Sequence, residues 1–253
     1  MTHLRSALIA LALGTSAFPG TACAQLGGTI DKRLEAIAST ERVQAALNSA
    51  AVVVLGRQTD TNEAYAWLVL MNSPAYAMLQ QSGEVNYLDA FKFLKAFIAR
   101  PEGAGTRAQL IEKAYREVYG IAPSPVAQAT WDADVRNGKA WFVTIVTKET
   151  ANLNASPPAR AAMLTTAYQY SHGRPPVQGD LDFWMKKSER YDQVVKAERT
   201  WLYTAGGAAE LVVVARRAWK AAYNTTPSDE ALKAVLVKAT SGKMVYAELA
   251  KAL

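Results

Sequence analysis

The 253-residue chain has one cysteine, Cys23, and two histidines, His3 and His172. So sparse a set excludes a disulfide framework, a thiolate-ligated metal and any cluster of imidazoles, because each needs partners of its own kind. Long apolar runs are scarce as well. The main one, residues 7–18, is about twelve residues where a membrane span takes about twenty. Acids are outnumbered, 22 Asp and Glu against 28 Lys and Arg, which leaves a formal net charge of +6 at pH 7. This surplus is spread along the chain, which favours anionic envelope polymers over nucleic acid, whose grooves interleave cations with aromatics.

Arg5, the short apolar run and Ala22-Cys23-Ala24 follow one another in the order of a secretory signal peptide. Residues 1–24 therefore read as a leader, and the protein as exported to the periplasm or the extracellular space. Cleavage after Ala24 removes the sole cysteine. The lipid-anchored alternative, acylation of Cys23, calls for Leu or a similar residue three positions earlier, where Gly20 stands. Residues 25–253, in a chain 50% hydrophobic, hold enough apolar material for one large domain or two small ones.

What the chain does have is a repeat. Gly56, Gly120 and Gly173 are each followed eleven residues on by a tryptophan, Trp67, Trp131 and Trp184. Five and one residues before the glycine stand Tyr115 and Tyr119, then Tyr168 and His172, then Trp219 and Tyr223 before Asn224, which takes the glycine's place. The first copy has Ala51 and Leu55 there. Residues four apart share a helix face, and Gly or Asn ends that helix in the left-handed conformation. Ser124-Pro125, Thr226-Pro227 and Asp60-x-x-Glu63 then read as starts of a second helix. Each copy is thus a helical hairpin whose tryptophan folds back onto the ring pair, followed by a third segment such as "KAWFVTIVTKE".

The expected fold is all-α, with degenerate helical hairpins packed as a bundle or short solenoid and copies at about 45–100, 107–153, 159–206 and 210–253. Three β-branched runs, "AVVVL" at 51–55, "FVTIV" at 142–146 and "LVVV" at 211–214, favour strand by local propensity. The repeat columns override that preference and predict helix. In the longer first copy "NYLDAFKFLKAFIA" has the pattern of an amphipathic helix.

The columns together, with Gly56-Arg57 and Gly173-Arg174 and the later Gly138 and Gly242, resemble the repeats of bacterial extracellular proteins known as domain of unknown function 4214. Those repeats are similar in turn to the helical linker domains of phycobilisomes. The resemblance covers roughly residues 45–253. It implies an all-helical, exported or surface-associated protein with no assigned catalytic residue. The acidic turns and Ser-Pro-Glu endings typical of that family are mostly missing from this chain.

Candidate sites are weak by comparison. His172 shares its column with Leu55, Tyr119 and Tyr223, so it reads as a packing position rather than a general base. Asp132 and Asp182, each one or two residues from a repeat tryptophan, are the acids an enzyme would use, but they do not occupy a shared repeat position. Glu189 and Glu198 lie among basic residues and read as surface pairing partners. Binding candidates are Lys186, Arg190, Arg216 and Lys220 on helix faces, and Trp201 beside a Gly-rich loop. Arg57 and Arg174 follow the helix-ending glycine, where a guanidinium meets terminal carbonyls. Gly56, Trp67, Gly120, Trp131, Gly173 and Trp184 are structural.

The expectation is a non-enzymatic binding or assembly module of the cell envelope or surface, without cofactor or metal. Its partner would be an envelope protein or an anionic polysaccharide, with no specific nucleic acid and no membrane span. The alternative is a glycan hydrolase or lyase working through Asp132 and Asp182.

Overall fold

The structure is a computed structural model and describes residues 41–71, 73 and 86–253. Residues 1–24, the expected leader, with Cys23, fall outside them. The fold is all-α, with twelve α-helices and no strand among the described residues. In chain order these are α1 (Glu41–Leu55), α2 (Thr61–Met71), α3 (Tyr87–Ala99), α4 (Ala104–Tyr119), α5 (Pro125–Arg136) and α6 (Phe142–Ala155). They continue with α7 (Pro157–His172), α8 (Gln178–Trp184), α9 (Tyr191–Leu202), α10 (Ala208–Tyr223), α11 (Asp229–Gly242) and α12 (Tyr246–Ala252). None is long and apolar enough to cross a membrane.

The three β-branched runs lie within α1, α6 and α10, so the repeat columns outweigh strand propensity as expected. Burial supplies the reason: Val54 and Leu55 in α1, Ile145 and Val146 in α6 and Val214 in α10 are buried, and helix packing decides what propensity alone does not. The amphipathic segment is α3, capped by Asn86, whose side chain accepts from the Asp89 N–H at 3.0 Å.

The chain divides into two compact units, Met1–Ile111 with Ala127–Val143, and Glu112–Val126 with Thr144–Leu253. In the first, α1 packs along α3 and touches α2. In the second, α7 packs against α8, α9 and α12, while α10 packs against α9, α11 and α12.

All four predicted helix ends are left-handed, at Gly56, Gly120, Gly173 and Asn224, with φ of 73°, 77°, 68° and 54°. Each closes its helix with an N–H bond to the carbonyl four residues back. The three glycines have a second reason to be glycine. A Cβ on Gly173 would stand 2.6 Å from the Tyr246 ring, and one on Gly56 2.5 Å from the Phe142 ring; Gly120 lies equally close under Tyr191. Phe142, Tyr191 and Tyr246 are the first residues of α6, α9 and α12. The ring that opens one copy's third helix therefore lies on the helix-ending glycine of the copy before it, where a side chain has no room. Asn224 is exposed and keeps a Cβ that such a seat would exclude.

Several sequence expectations are corrected in detail. Arg57 and Arg174 do not cap the helices they follow. Arg57 grips both oxygens of Glu63 at 2.5 and 2.6 Å, and Arg174 donates to Asp180 at 3.0 Å, in each case the acid six residues on in the next helix. Glu63 is thereby committed to Arg57, and only half of the expected capping box forms, the Glu63 N–H bond to Asp60 at 2.8 Å. The cap of α11 is Ser228, which accepts from Ala231 at 3.2 Å, rather than Thr226. At the later glycine column of the last copy it is Lys243 (φ 46°), one past Gly242, that is left-handed.

Candidate functional site

Tyr168 and His172, one turn apart on α7, stack with ring centroids 4.9 Å apart. Glu198 on α9 reaches them both. Its carboxylate accepts from the Tyr168 hydroxyl at 2.8 Å, from Trp184 Nε1 at 2.8 Å and from His172 Nε2 at 3.0 Å. Trp184 Nε1 also lies 3.1 Å from the Tyr168 oxygen, so the tryptophan folds onto the ring pair as the repeat predicted. Burial pushes the Glu198 carboxyl up, but the bonds from His172, Tyr168 and Trp184 outweigh it and hold the group below its ordinary range. An ionised Glu198 fixes the proton of His172 on Nε2. Burial, reinforced by the Glu198 charge, raises the Tyr168 hydroxyl far above its usual value, which keeps it a donor.

The same hub occurs a second time. Tyr115 and Tyr119 on α4 have centroids 5.4 Å apart and both donate to Glu149 on α6, each at 2.9 Å. Glu149 and Glu198 each stand seven residues after the ring that opens their helix, Phe142 and Tyr191. In the last copy, seven residues after Tyr246, the acceptor is the main-chain carbonyl of Leu253, which takes the Tyr223 hydroxyl at 2.6 Å. In the first copy, where Ala51 and Leu55 bring no polar group, the position after Tyr87 is Leu94, fully buried. Acceptor and ring pair vary together. Glu198 is therefore a buried acceptor, only 7% exposed, and not the surface partner the sequence suggested.

A buried arginine accompanies each hub, thirteen residues before the glycine. Arg107 donates to Asp132, to the Ile98 carbonyl and to the Arg100 carbonyl at 2.5, 2.5 and 3.2 Å. Arg160 donates to Asn154, to Lys187 O and to Trp184 O, the last at 2.9 Å. Both guanidiniums gather loop and helix-end carbonyls with charge-assisted bonds.

Two clefts open on the second unit. One, of about 300 Å³, lies over the Tyr168–Glu198 hub and is walled by Trp201, Phe183, Arg174 and Asp180. Trp201 is 43% exposed and Phe183 53%. Lys187 stands 4.2 Å from the centre of the Phe183 ring. The other cleft, of about 600 Å³, is lined by Arg116, Gly120, Tyr170, Tyr191, Lys196 and Arg199, together with Asp192 and Val195.

The His172–Glu198 pair resembles the base and orienting acid of a catalytic triad, but no nucleophile completes it among the described residues. Ser171 is wholly buried and lines neither cleft. His172 Nδ1 is buried too, 3.6 Å from Glu210. Asp132 is held by Arg107 and by Arg136 at 2.9 Å, and exposed Asp182 accepts from Gln178 at 2.8 Å. Neither aspartate lines either cleft. Of the binding candidates, Trp201 alone does. Lys186, Arg216 and Lys220 are exposed elsewhere, and Arg190 is committed to Asp192 by two bonds of 3.0 Å. Trp67, Trp131 and Trp184 are buried, as their shared column predicts. Among the described residues no group of three metal-ligating side chains is present. No family model, curated protein or solved structure matches the chain.

Proposed function

We infer that the chain is an exported, non-enzymatic helical-repeat protein that works as a binding or assembly module of the cell envelope or surface. The observation that carries this reading is the doubled hub. The carboxylates placed beside ring hydroxyls and the histidine are occupied by those donors, and Tyr119 does in one copy what His172 does in the other. A group that the repeat replaces by phenol is serving as a hydrogen-bond donor, not as a base. The leader-like residues 1–24 support export, and the resemblance to domain of unknown function 4214 repeats supports a surface role. Its partner on this reading is an anionic polysaccharide or another envelope component, met by clefts whose linings combine aromatic rings with arginine and, in the larger one, lysine.

A panel of neutral and acidic polysaccharides, assayed in parallel for binding and for release of reducing ends, tests the reading. Binding without turnover is expected. Turnover that disappears in Asp132→Asn or Asp182→Asn would establish the hydrolase alternative instead.

A further inference from the structure

The larger cleft has donors left over, and their chemistry names a ligand. Two of its three cations are already engaged: Arg116 holds Glu112 at 2.7 and 2.9 Å, and Arg199 holds Glu248 at 2.6 Å. Lys196 is exposed, and its ammonium has no acid partner among the described residues. The acid in the lining, Asp192, is neutralised by Arg190. In the same lining the rings of Tyr170 and Tyr191 meet edge to face, with centroids 6.3 Å apart. Tyr170 spends its hydroxyl on Glu248 at 3.2 Å, whereas the Tyr191 hydroxyl has no acceptor among the described residues. Burial, then the neighbouring Tyr170, pushes the Tyr191 hydroxyl up to about 12, so it remains a donor at neutral pH.

A neutral sugar would leave the ammonium unmatched. A phosphate dianion is best met by guanidinium forks, and the forks of Arg116 and Arg199 are taken. One ammonium and one phenol hydroxyl match the single charge of a carboxylate, while tyrosine rings suit the C–H face of a pyranose. The volume lies in the range of small-molecule sites. We propose that this cleft binds uronate residues of an acidic polysaccharide, with Lys196 against the sugar carboxylate and the Tyr191 hydroxyl donating to it. The assignment rests on the binding-module reading above and gives it a site and a ligand class.

Calorimetric titration of the full chain with polygalacturonate, dextran and inorganic polyphosphate tests it. Polygalacturonate is expected to bind with an affinity that falls as salt rises, and dextran is not. Lys196→Glu should weaken binding about tenfold, and Tyr191→Phe about threefold with an unchanged melting temperature, since the ring stays on Gly120. Lys186→Glu, the same charge change outside the cleft, should leave affinity unaltered. Equal losses in Lys196→Glu and Lys186→Glu, no binding of polygalacturonate, or polyphosphate binding that depends on Lys196 more strongly would each overturn the uronate assignment. Polygalacturonate binding that both cleft variants retain would place the ligand elsewhere and leave the module reading standing. Cleavage of the polymer would overturn the module reading itself.

Discussion

Glu198→Ala is expected to destabilise the second unit by about 4 kcal/mol, read as a loss of denaturant midpoint at constant slope. Removing the carboxylate leaves the Tyr168 hydroxyl and His172 Nε2 buried without an acceptor and Trp184 Nε1 with the Tyr168 oxygen alone, and each orphan costs roughly 1–3 kcal/mol before the cavity is added. Glu198→Gln keeps the shape and one acceptor, so a smaller loss of about 1–2 kcal/mol is expected. The two variants also separate by pH. Glu198 is held below its ordinary range when folded, so its ionised form contributes stability in full above the unfolded value, and that contribution is lost as the pH falls through the folded one. Wild-type stability should therefore drop in acid by more than that of Glu198→Gln, in which the titrating group is gone. Parallel acid profiles for the two proteins would remove Glu198 from the account.

Gly173→Ala is expected to cost about 3 kcal/mol, and Gly138→Ala about 1 kcal/mol. Both glycines have φ of 68°, so the backbone penalty is common to both. They differ in what a Cβ meets: at Gly138 nothing lies within 4 Å, while at Gly173 the Tyr246 ring is 2.6 Å away. The difference between the two substitutions therefore isolates the contact that seats α12 on the preceding copy. Equal costs would mean that the ring moves aside freely, and that the three ring-on-glycine contacts do not couple neighbouring copies.

The framework was legible because the repeat is marked by residue types with one physical meaning each. A left-handed helix end needs Gly or Asn, and rings four apart share a face, so Gly120, Gly173, Asn224 and their ring pairs could be aligned without any structure. The same alignment overrode the strand preference of "LVVV", which lies in the middle of α10. Legibility failed at the acceptor. Counted from the glycine, Glu149 stands at position 29 and Glu198 at position 25, because the connector from Trp131 to Phe142 is four residues longer than that from Trp184 to Tyr191. Counted from the ring that opens the third helix, both fall at position seven. That ring was itself hidden: Phe142 read as part of a β-branched run, and Tyr191, eighteen residues after Gly173, stands where Gly138 follows Gly120.

The binding surface was illegible for a different reason. Charge counts drew attention to Lys186, Arg190, Arg216 and Lys220, yet a cation acts at a site only when no acid of its own chain has claimed it. Arg190 is claimed by Asp192 two residues on and Arg116 by Glu112 one turn back, whereas Arg199 is claimed by Glu248 on another helix, a pairing that no spacing rule reveals. Arg107 and Arg160 were missed because burial, and not their sequence neighbours, gives them their work.

At the centre of the account is the claim that His172 donates a structural hydrogen bond that a phenol supplies in the neighbouring copy. The most direct measurement is polygalacturonate binding and turnover by the His172→Tyr variant beside the wild type, with His172→Gln as a smaller donor in case the larger ring does not fit. Neither protein is expected to release reducing ends, and affinity is expected to change by less than about twofold. Turnover by the wild type that both variants lose would contradict that claim, and would make His172 with Glu198 a working acid–base pair.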